Sequence, residues 1–287
     1  MPVGEVREEP CPECGGRGWI VVRDGGAGTA RVCPCREQGV IPRMLAAAGI
    51  PIRYQHCKIS NFQTSSPSEA ERRQLESARF AAEQYVESFV QDGGAFKQSG
   101  LLFVGPPGTG KTHLAVGVLR SLIERWRVHG KFVEFTSLIH QIQSTFDPDS
   151  PESKRQILDP LADAELLVLD ELGAQQPTPW VRDLLYLIIN TRYTRRLPTL
   201  FTTNYRLDDA APKKAPVRVA GRTTMVPRNT LDRGPDAEPP PREDFALLAS
   251  RLPAMLVSRL YEMAQPVVLD AVEDFRREHA VHGAHLR

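Results

Sequence analysis

The 287-residue chain is 41% hydrophobic and 25% charged, with a formal net charge of +1, as in an ordinary globular protein. This length suffices for one α/β core with a smaller appendage, and the near-neutral charge excludes a whole-protein field that attracts nucleic acid. No apolar run approaches the roughly 20 residues of a membrane span, and the N-terminus has no signal-peptide pattern. We therefore expect a cytoplasmic protein that makes no membrane contact, and whose five cysteines are thiols or metal ligands rather than disulfides.

Two close cysteine pairs mark residues 1–40. The first pair is Cys11 and Cys14, and the second, after eighteen intervening residues, is Cys33 and Cys35. Four thiolates from two such pairs, joined by a glycine-rich stretch, suit tetrahedral Zn²⁺. The segment is too poor in apolar residues to form a core alone, so bound metal would supply most of its folding free energy. We predict a small four-cysteine zinc-binding module here, while an iron–sulfur site or thiols in a flexible tail stay open as alternatives.

Residues 41–99 form a predicted helical linker. Apolar residues recur at helical spacing between Leu75 and Phe89, and the sequence Asp92-Gly93-Gly94 is a stop signal. The fifth cysteine, Cys57, falls in this region. We expect it to be a small buried hydrophobic residue, with His56 beside it at the surface.

Residues 100–277 are predicted to form the main domain, and residues 278–287 a C-terminal tail. From 100 to 205, short apolar runs alternate with amphipathic stretches, which is the pattern of a parallel sheet flanked by helices. Helical spacing returns from Phe245 and continues to about Arg277. The predicted buried strands are Leu101–Val104, Lys131–Phe135, Leu166–Asp170 and Thr199–Thr203, with helices at His113–Trp126 and Trp180–Arg196.

Residues 206–245 interrupt this pattern and are predicted to be a flexible insertion rather than packed structure. They contain seven prolines, and between Pro212 and Gly234 there are six Lys or Arg residues and a single Asp. A mobile basic segment of this kind either tracks the phosphates of single-stranded DNA or is a solvated linker, and both interpretations stay open. The candidate phosphate contacts are Lys213, Lys214, Arg218, Arg222 and Arg228 in the insertion. The stretch Thr136–Asp159 is also considered for DNA contact, but its only nearby positive charges are Lys154 and Arg155.

A phosphate-binding motif runs from Gly105 to Thr112, where the sequence fits G-x-x-x-x-G-K-[ST]. A predicted strand precedes it and a predicted helix follows it, so its backbone N–H groups and the helix N-terminus would face the phosphates. Lys111 is expected to reach the β- and γ-phosphates, and the Thr112 hydroxyl to bind Mg²⁺. The predicted ATP-binding residues are Gly105, Pro106, Pro107, Gly108, Thr109, Gly110, Lys111 and Thr112.

Two acids follow the apolar run of residues 166–169. A carboxylate at the carboxyl end of a buried parallel strand lies where such sheets bind ligands, so Asp170 is expected to bind Mg²⁺ together with ATP. Glu171 is expected to act as general base by polarising the attacking water, which favours ATP hydrolysis over nucleotide binding alone. Asn204 directly follows the next predicted buried strand, and its amide is expected to orient water against the γ-phosphate.

These motifs, in this order, resemble the AAA+ ATPases, and more narrowly the DnaC/DnaI helicase-loader family with its relative IstB. The matching segments are GLLFVGPPGTGKTHLA at 100–115, LVLDELG at 167–173, TTNY at 202–205 and VSRLYEM at 257–263. The resemblance implies an α/β AAA+ P-loop NTPase core that hydrolyses ATP at a subunit interface. It also implies that the N-terminal zinc module engages a helicase.

Two arginines gain their roles from the resemblance alone. Arg259 falls at the position of the arginine finger, which enters the ATP site of a neighbouring subunit and neutralises charge on the γ-phosphoryl oxygens. Arg276 falls where the family has its sensor-2 arginine. The family often has another arginine four residues before the finger, and this chain has Met255 there. The implied assembly is a homo-oligomer joined through Arg259.

The function that the resemblance implies is the loading of a hexameric replicative helicase when DNA replication begins. An IstB-like helper of a DNA transposase is the second expectation, although relatives of that kind typically lack a zinc module. A nucleotide-gated adaptor with little turnover is the third. Small-molecule kinases share the phosphate-binding loop, but Asp170-Glu171, Asn204 and Arg259 together fit a hydrolysing AAA+ ATPase better.

Overall fold

The computed structural model describes residues 19–22, 29–33, 39–91, 94–146, 153–175, 178–207, 215–219, 222–226 and 247–275. The strands in this part of the chain are β1 (Trp19–Val22), β2 (Thr29–Val32), β3 (Gly100–Val104), β4 (Gly130–Glu134), β5 (Leu166–Asp170), β6 (Thr199–Thr203), β7 (Ala215–Val219), β8 (Arg222–Val226) and β9 (Ala264–Val268). The α-helices are α1 (Val40–Ala47), α2 (Glu69–Glu87), α3 (Lys111–Trp126), α4 (Phe135–Ser144), α5 (Lys154–Asp163), α6 (Pro179–Thr194) and α7 (Ala254–Met263). Short 3₁₀ turns lie at Ile52–Tyr54, Ile59–Asn61 and Leu248–Ser250.

Within the described residues, the central sheet has five parallel strands in the order β4-β5-β6-β3-β9. Every residue of β3, β5 and β6 is buried. Strands β3 and β5 are nearly continuous apolar runs because a parallel sheet is covered by helices on both faces, whereas β6 buries three threonines beside Leu200 and Phe201. The four predicted strands are confirmed with one shift. Strand β4 ends at Glu134, whose carboxylate accepts the N–H of Thr136 and caps α4, so that Phe135 belongs to the helix.

Helices cover both faces of the sheet, as the alternating pattern predicts. One face packs against α2 and α3, and the opposite face packs against α4, α5, α6 and α7. Helix α6 begins at Pro179, where the Thr178 hydroxyl accepts the N–H of Val181. Proline suits this first position because its missing N–H has no partner to lose there.

Helix α2 lies within residues 41–99, the predicted helical linker, and spans Glu69–Glu87. Its buried residues recur every three or four positions from Leu75 to Val86, so one side faces the core. Charged residues occupy the other side, and the Arg73–Glu69 and Arg79–Glu83 ion pairs lie there. In the part of the chain that the structure describes, no helix is both long and apolar enough to cross a membrane.

The segment after Met263 differs from its prediction. Helical spacing predicted a helix to about Arg277, but α7 ends at Met263 and β9 follows at once, parallel to β3 at the edge of the sheet. Pro266 explains the change, because proline lacks the N–H that a helix interior needs, whereas an edge strand accommodates it. The two residues after it are valines, which favour strands.

In the described part of the chain, two antiparallel hairpins lie outside the central sheet. Strands β7 and β8 pair within residues 206–245, where the composition predicted a flexible insertion. Strands β1 and β2 pair between the two cysteine pairs. Among the described residues, no group of three or more His, Cys, Asp or Glu side chains could hold a metal ion. Of the predicted zinc ligands, Cys33 is buried, whereas Cys11, Cys14 and Cys35 lie outside the described residues, so the zinc module stays a prediction.

Candidate nucleotide-binding site

The phosphate-binding loop joins the carboxyl end of β3 to the N-terminus of α3. Gly108 and Gly110 have φ angles of 80° and 87°, a left-handed conformation that favours glycine. Neighbouring atoms also leave no room for a side chain at either position. A Cβ on Gly110 would lie 2.5 Å from the Phe62 ring, and one on Gly108 would lie 1.7 Å from Oδ1 of Asp274. Glycine is therefore required at both positions for the loop to keep this conformation.

Lys111 is the first residue of α3 and is buried. Its ammonium group donates to the carbonyl of Pro106 at 2.6 Å and lies 3.4 Å from Oγ1 of Thr109. The Thr109 hydroxyl donates to the same carbonyl at 3.0 Å. The ammonium group thus lies within the loop itself, where it can exchange a carbonyl oxygen for a phosphate oxygen.

Asp170 is buried at the carboxyl end of β5. Its Oδ1 accepts hydrogen bonds from the hydroxyls of Thr202 at 2.6 Å and Thr112 at 2.9 Å. Burial raises the pKa of this carboxyl to about 6, and the two hydroxyl donors offset part of that rise. Carboxylate and hydroxyl oxygens are hard ligands of the kind that Mg²⁺ prefers. The structure therefore brings the two predicted magnesium ligands, Asp170 and Thr112, into direct contact.

Glu171 has a φ angle of 59°, which is uncommon for a residue other than glycine. Its side chain is exposed and lines the same cleft as Lys111 and Thr112. Residues held in such conformations cluster at functional sites, and of the three in the described chain Glu171 is the one that lines the cleft. The turn separates two consecutive acids into a buried one and an exposed one, which matches the different roles predicted for Asp170 and Glu171.

Thr202 is a site residue that the sequence motifs do not reveal. Its hydroxyl accepts the backbone N–H of Glu171 at 2.9 Å while it donates to Asp170. Asn204 lies two residues further on, and both residues line the cleft. The sequence does not single it out, because Thr202 is one of three buried threonines in β6 and lies two residues before Asn204.

One part of the cleft wall comes from residues 53–57, which the sequence did not indicate as part of the site. Arg53, Tyr54, His56 and Cys57 line this wall. As predicted, Cys57 is buried and His56 is exposed, and burial raises the pKa of the Cys57 thiol. The mixture of aromatic, apolar and a few polar groups is typical of a ligand-binding wall.

His113 connects this wall to α3. Its Nε2 lies 2.9 Å from both the carbonyl of Lys58 and Oδ1 of Asn61. Both partners are acceptors, because the Asn61 amide nitrogen donates to the His56 carbonyl. Nε2 therefore carries the hydrogen, and burial lowers the pKa of His113, which favours the neutral ring.

The chain after β9 returns to the phosphate-binding loop. Phe275 lines the cleft, and its N–H donates to the carbonyl of Gly108 at 3.3 Å. The Gln74 side chain of α2 contacts the same segment, donating to Asp270 at 2.7 Å and accepting from the N–H of Ala271 at 3.0 Å. Arg276 is the next residue after this segment and lies outside the described residues, so its sensor role stays a prediction.

Arg259 is not among the residues that line the cleft of its own chain. Its Cζ lies 5.0 Å from the ring centroid of Tyr186 and 5.4 Å from that of Tyr193, within the range of a cation–π contact. One turn earlier on α7, Met255 is exposed. A finger role for Arg259 would therefore require the cleft of another subunit, and it stays a prediction.

Two of the candidate DNA contacts, Lys154 and Arg155, are exposed at the start of α5 and do not line the cleft. Arg218 and Arg222 lie in β7 and β8, where Arg222 pairs with Val219. DNA contact stays a prediction, since the remaining candidates, Lys213, Lys214 and Arg228, lie outside the described residues.

Comparison with known families identifies the chain. The profile of the IstB-like ATP binding protein family matches residues 35–211, which include the phosphate-binding loop, both acids and Asn204. The chain belongs to this family. The IstB-like chain is 30% identical to the replicative helicase loader DnaC of Escherichia coli over 170 residues, which are 58% of this chain and 63% of DnaC. It is 26% identical to YqaM, an uncharacterized protein of Bacillus subtilis, over 185 residues, which are 63% of this chain and 56% of YqaM. The match thus spans less than two thirds of the length of either relative.

Solved structures agree with this assignment. The crystal structure of the DnaC helicase loader matches the IstB-like chain with a TM-score of 0.52 at 27% identity, covering 76% of this chain and 99% of that one. The crystal structure of DnaI matches with a TM-score of 0.52 at 20% identity over 77% of this chain and 94% of that one, a likeness of fold alone. The resemblance to the DnaC/DnaI family of AAA+ ATPases is confirmed.

Proposed function

We propose that this protein is an ATP-dependent loader of a replicative DNA helicase. The observation that carries the proposal is the 30% identity to the replicative helicase loader DnaC. The cleft supports it, because a phosphate-binding loop, an exposed acid and an amide converge there beside a buried acid. In this proposal the zinc module binds the helicase, and ATP hydrolysis releases the helicase from the loader.

The residues of the cleft fit ATP·Mg²⁺. The Thr112 hydroxyl and the Asp170 carboxylate would hold Mg²⁺, and their oxygens lie 2.9 Å apart. When bound, Mg²⁺ neutralises and orients the phosphate oxygens. Lys111 exchanges its contact with the Pro106 carbonyl for the β- and γ-phosphates. The nucleotide-facing residues are otherwise those of the loop from Gly105 to Thr112.

Hydrolysis at this site requires two chains. Glu171 acts as general base from its exposed position in the cleft, and Asn204 orients the water. Arg259 of a second copy neutralises charge that develops on the γ-phosphoryl oxygens. Because Arg259 does not line its own cleft, the oligomer is part of the proposal.

A mixing experiment tests the shared site. Glu171→Gln lacks the base but keeps the finger, and Arg259→Ala lacks the finger but keeps the base. Each variant alone is expected to lose at least about a hundredfold in ATPase rate. The mixture is expected to regain part of the rate, because an intact base meets an intact finger across one interface. A mixture that stays inactive while both variants bind ATP would contradict a site shared between chains.

A capture experiment tests the partner. Glu171→Gln with ATP is expected to retain a hexameric replicative helicase, because the assembled state is formed and not hydrolysed. Lys111→Ala is the matched control, since it removes the ammonium group from the phosphate-binding loop and should retain no helicase. Failure of wild type and Glu171→Gln to retain a helicase, with or without single-stranded DNA, would count against the loader.

The family profile itself favours a second candidate, an IstB-like helper that acts with a DNA transposase. The two functions differ in the protein that Glu171→Gln retains in ATP. Retention of a transposase and not of a helicase would select the helper. A nucleotide-gated adaptor with negligible turnover is distinguished by kinetics, since its wild type and Glu171→Gln would have equal, near-zero ATPase rates.

A further inference from the structure

The finger candidate Arg259 lies three residues before Glu262 on α7. Side chains at this spacing are neighbours on a helix surface, and opposite charges placed there can form an ion pair. Among the described residues the ion pairs lie elsewhere, and none joins Arg259 to Glu262. The acid on its own helix, Glu262, therefore forms no direct ion pair with the guanidinium group.

Tyr193 of α6 explains the missing ion pair. Its hydroxyl lies 3.0 Å from Oε1 and 2.9 Å from Oε2 of Glu262, so it donates to this carboxylate. The contact with Glu262 raises the pKa of Tyr193 above its ordinary value, which keeps the phenol protonated and able to donate. The ring of the same residue lies within cation–π range of Arg259. One side chain thus contacts both charged residues through different groups.

The surroundings of Arg259 leave part of its hydrogen-bonding capacity unused. Its Nη1 is buried and has no hydrogen-bond partner within the described part of the chain. A buried donor without a partner is rare in native structures, because it has lost its water without gaining a replacement. Tyr186 contributes a ring at 5.0 Å and is itself partly exposed, so this site lies at the surface of the chain.

We propose that Tyr193 is a positioning residue for the arginine finger: its ring supports Arg259, and its hydroxyl keeps Glu262 from pairing with Arg259. The partner that uses the available guanidinium group is a second copy of this chain, whose ATP site carries the negative charge. This inference rests on the proposed function, because it requires Arg259 to act on a neighbouring subunit.

Tyr193→Phe tests the role of the hydroxyl, since it keeps the ring and frees Glu262 to pair with Arg259. The kcat for ATP hydrolysis is expected to fall about two- to fivefold, the range that an exposed ion pair imposes. Affinity for a fluorescent ADP analogue is expected to stay at the wild-type value, because the cleft of each chain is unchanged. Tyr261→Phe removes a phenol hydroxyl from the same helix as Arg259 and is the matched control, with unchanged kcat.

The double variant Tyr193→Phe/Glu262→Gln distinguishes positioning from a structural role. If the freed carboxylate is the cause of the loss, its conversion to an amide restores kcat to the wild-type value. Tyr193→Phe/Glu262→Ala should restore it too, and thermal unfolding midpoints verify that all variants are folded. If the phenol had only a structural role, removing its hydrogen-bond partner Glu262 would leave kcat as low as in Tyr193→Phe.

Arg259→Ala separates this inference from the proposed function. A wild-type kcat in Arg259→Ala would show that Arg259 is not an arginine finger. That result would contradict both the ATP site shared between chains and the positioning role of Tyr193. Loss of activity in Arg259→Ala with a wild-type kcat in Tyr193→Phe would overturn the positioning role alone. A Tyr193→Phe/Glu262→Gln protein as slow as Tyr193→Phe would do the same.

Discussion

The hydroxyl of Thr202 lies 2.6 Å from Oδ1 of Asp170. The hydroxyl oxygen of Thr202 also accepts the backbone N–H of Glu171 at 2.9 Å. A threonine hydroxyl has a single hydrogen, so donating to Asp170 and accepting from Glu171 fixes it in one orientation. Strand β6 thereby holds both acids of the neighbouring strand end through one side chain.

Thr202→Val is expected to lower the ATPase rate about thirtyfold, since two hydrogen bonds of about 1 kcal/mol each are removed from the acids. Valine keeps the branched shape, so β6 should remain in place. Thr199→Val is the matched control, because it makes the same change at the other end of the strand. That variant should be less stable but hydrolyse ATP at the wild-type rate, and equal rates in all three proteins would refute the role of Thr202.

The raised pKa of Asp170 leads us to expect that the ligand-free protein loses stability as the pH rises from about 4 to 6. Its pKa rises from 3.8 in the unfolded chain to about 6 in the fold, so the native state binds the proton more tightly. The free energy of unfolding should therefore fall across this window, by up to about 3 kcal/mol from this group. Urea unfolding at several pH values would measure it. Asp170→Asn should flatten the profile, and parallel profiles for the two proteins would exclude this carboxyl as the source.

Arg192 is a buried cation at the end of the sheet opposite the phosphate-binding loop. Its Nε donates to the hydroxyl of Thr199 at 2.8 Å. Its terminal nitrogens donate to the carbonyls of Leu161, Ala164 and Pro198 at 2.8, 2.9 and 2.7 Å. Burial lowers the pKa of Arg192 to about 9, so the guanidinium group remains charged at neutral pH.

Arg192→Met is expected to lower the free energy of unfolding by about 3 kcal/mol or more, because the carbonyls are left buried without donors. Arg195→Met supplies the control from the end of the same helix. Arg195 is 48% exposed at its side chain and pairs with Asp163 at 2.8 Å. Its loss should cost less than about 1 kcal/mol. Similar denaturation midpoints for the two variants would mean that the buried contacts contribute little.

The predicted zinc module is open to a direct metal measurement. Purified protein is expected to contain zinc in a one-to-one ratio by atomic emission, and Cys14→Ser or Cys35→Ser should lose it, because each removes one thiolate ligand. Cys57→Ala should keep the metal, since Cys57 lies in the cleft wall. Iron with the visible absorbance of a cluster would identify an iron–sulfur site instead. Purified protein without metal would contradict the predicted zinc module.

The features of the fold and site that could be predicted from the sequence are those that depend on residues close together in the chain. Strands β3 and β5 follow from apolar runs, and Lys111 and Thr112 follow from a motif of fixed spacing. Thr202 could not be predicted in the same way, because its role depends on β6 lying beside β5 in the sheet. The wall at residues 53–57 and the contact between Tyr193 and Glu262 likewise join segments far apart in the sequence.

Strand β9 illustrates a different difficulty. Its residues continue the helical spacing that begins at Phe245, although Pro266 is a helix breaker. Besides Pro266, the edge of β3 favours a strand, because it supplies partners for the backbone hydrogen bonds of β9. That edge is a property of the assembled sheet and is absent from any short window of sequence.

The position of β3 between β6 and β9 has a consequence for how the protein forms during synthesis. The strand that leads into Gly105 is bordered on one side by residues 199–203 and on the other by residues 264–268. Such distant pairings form slowly, and neither can form before both partners have left the ribosome. A nascent chain that has exposed only its first two hundred residues therefore presents the glycine-rich loop on an unfinished sheet, and it acquires the ability to hold a nucleotide late.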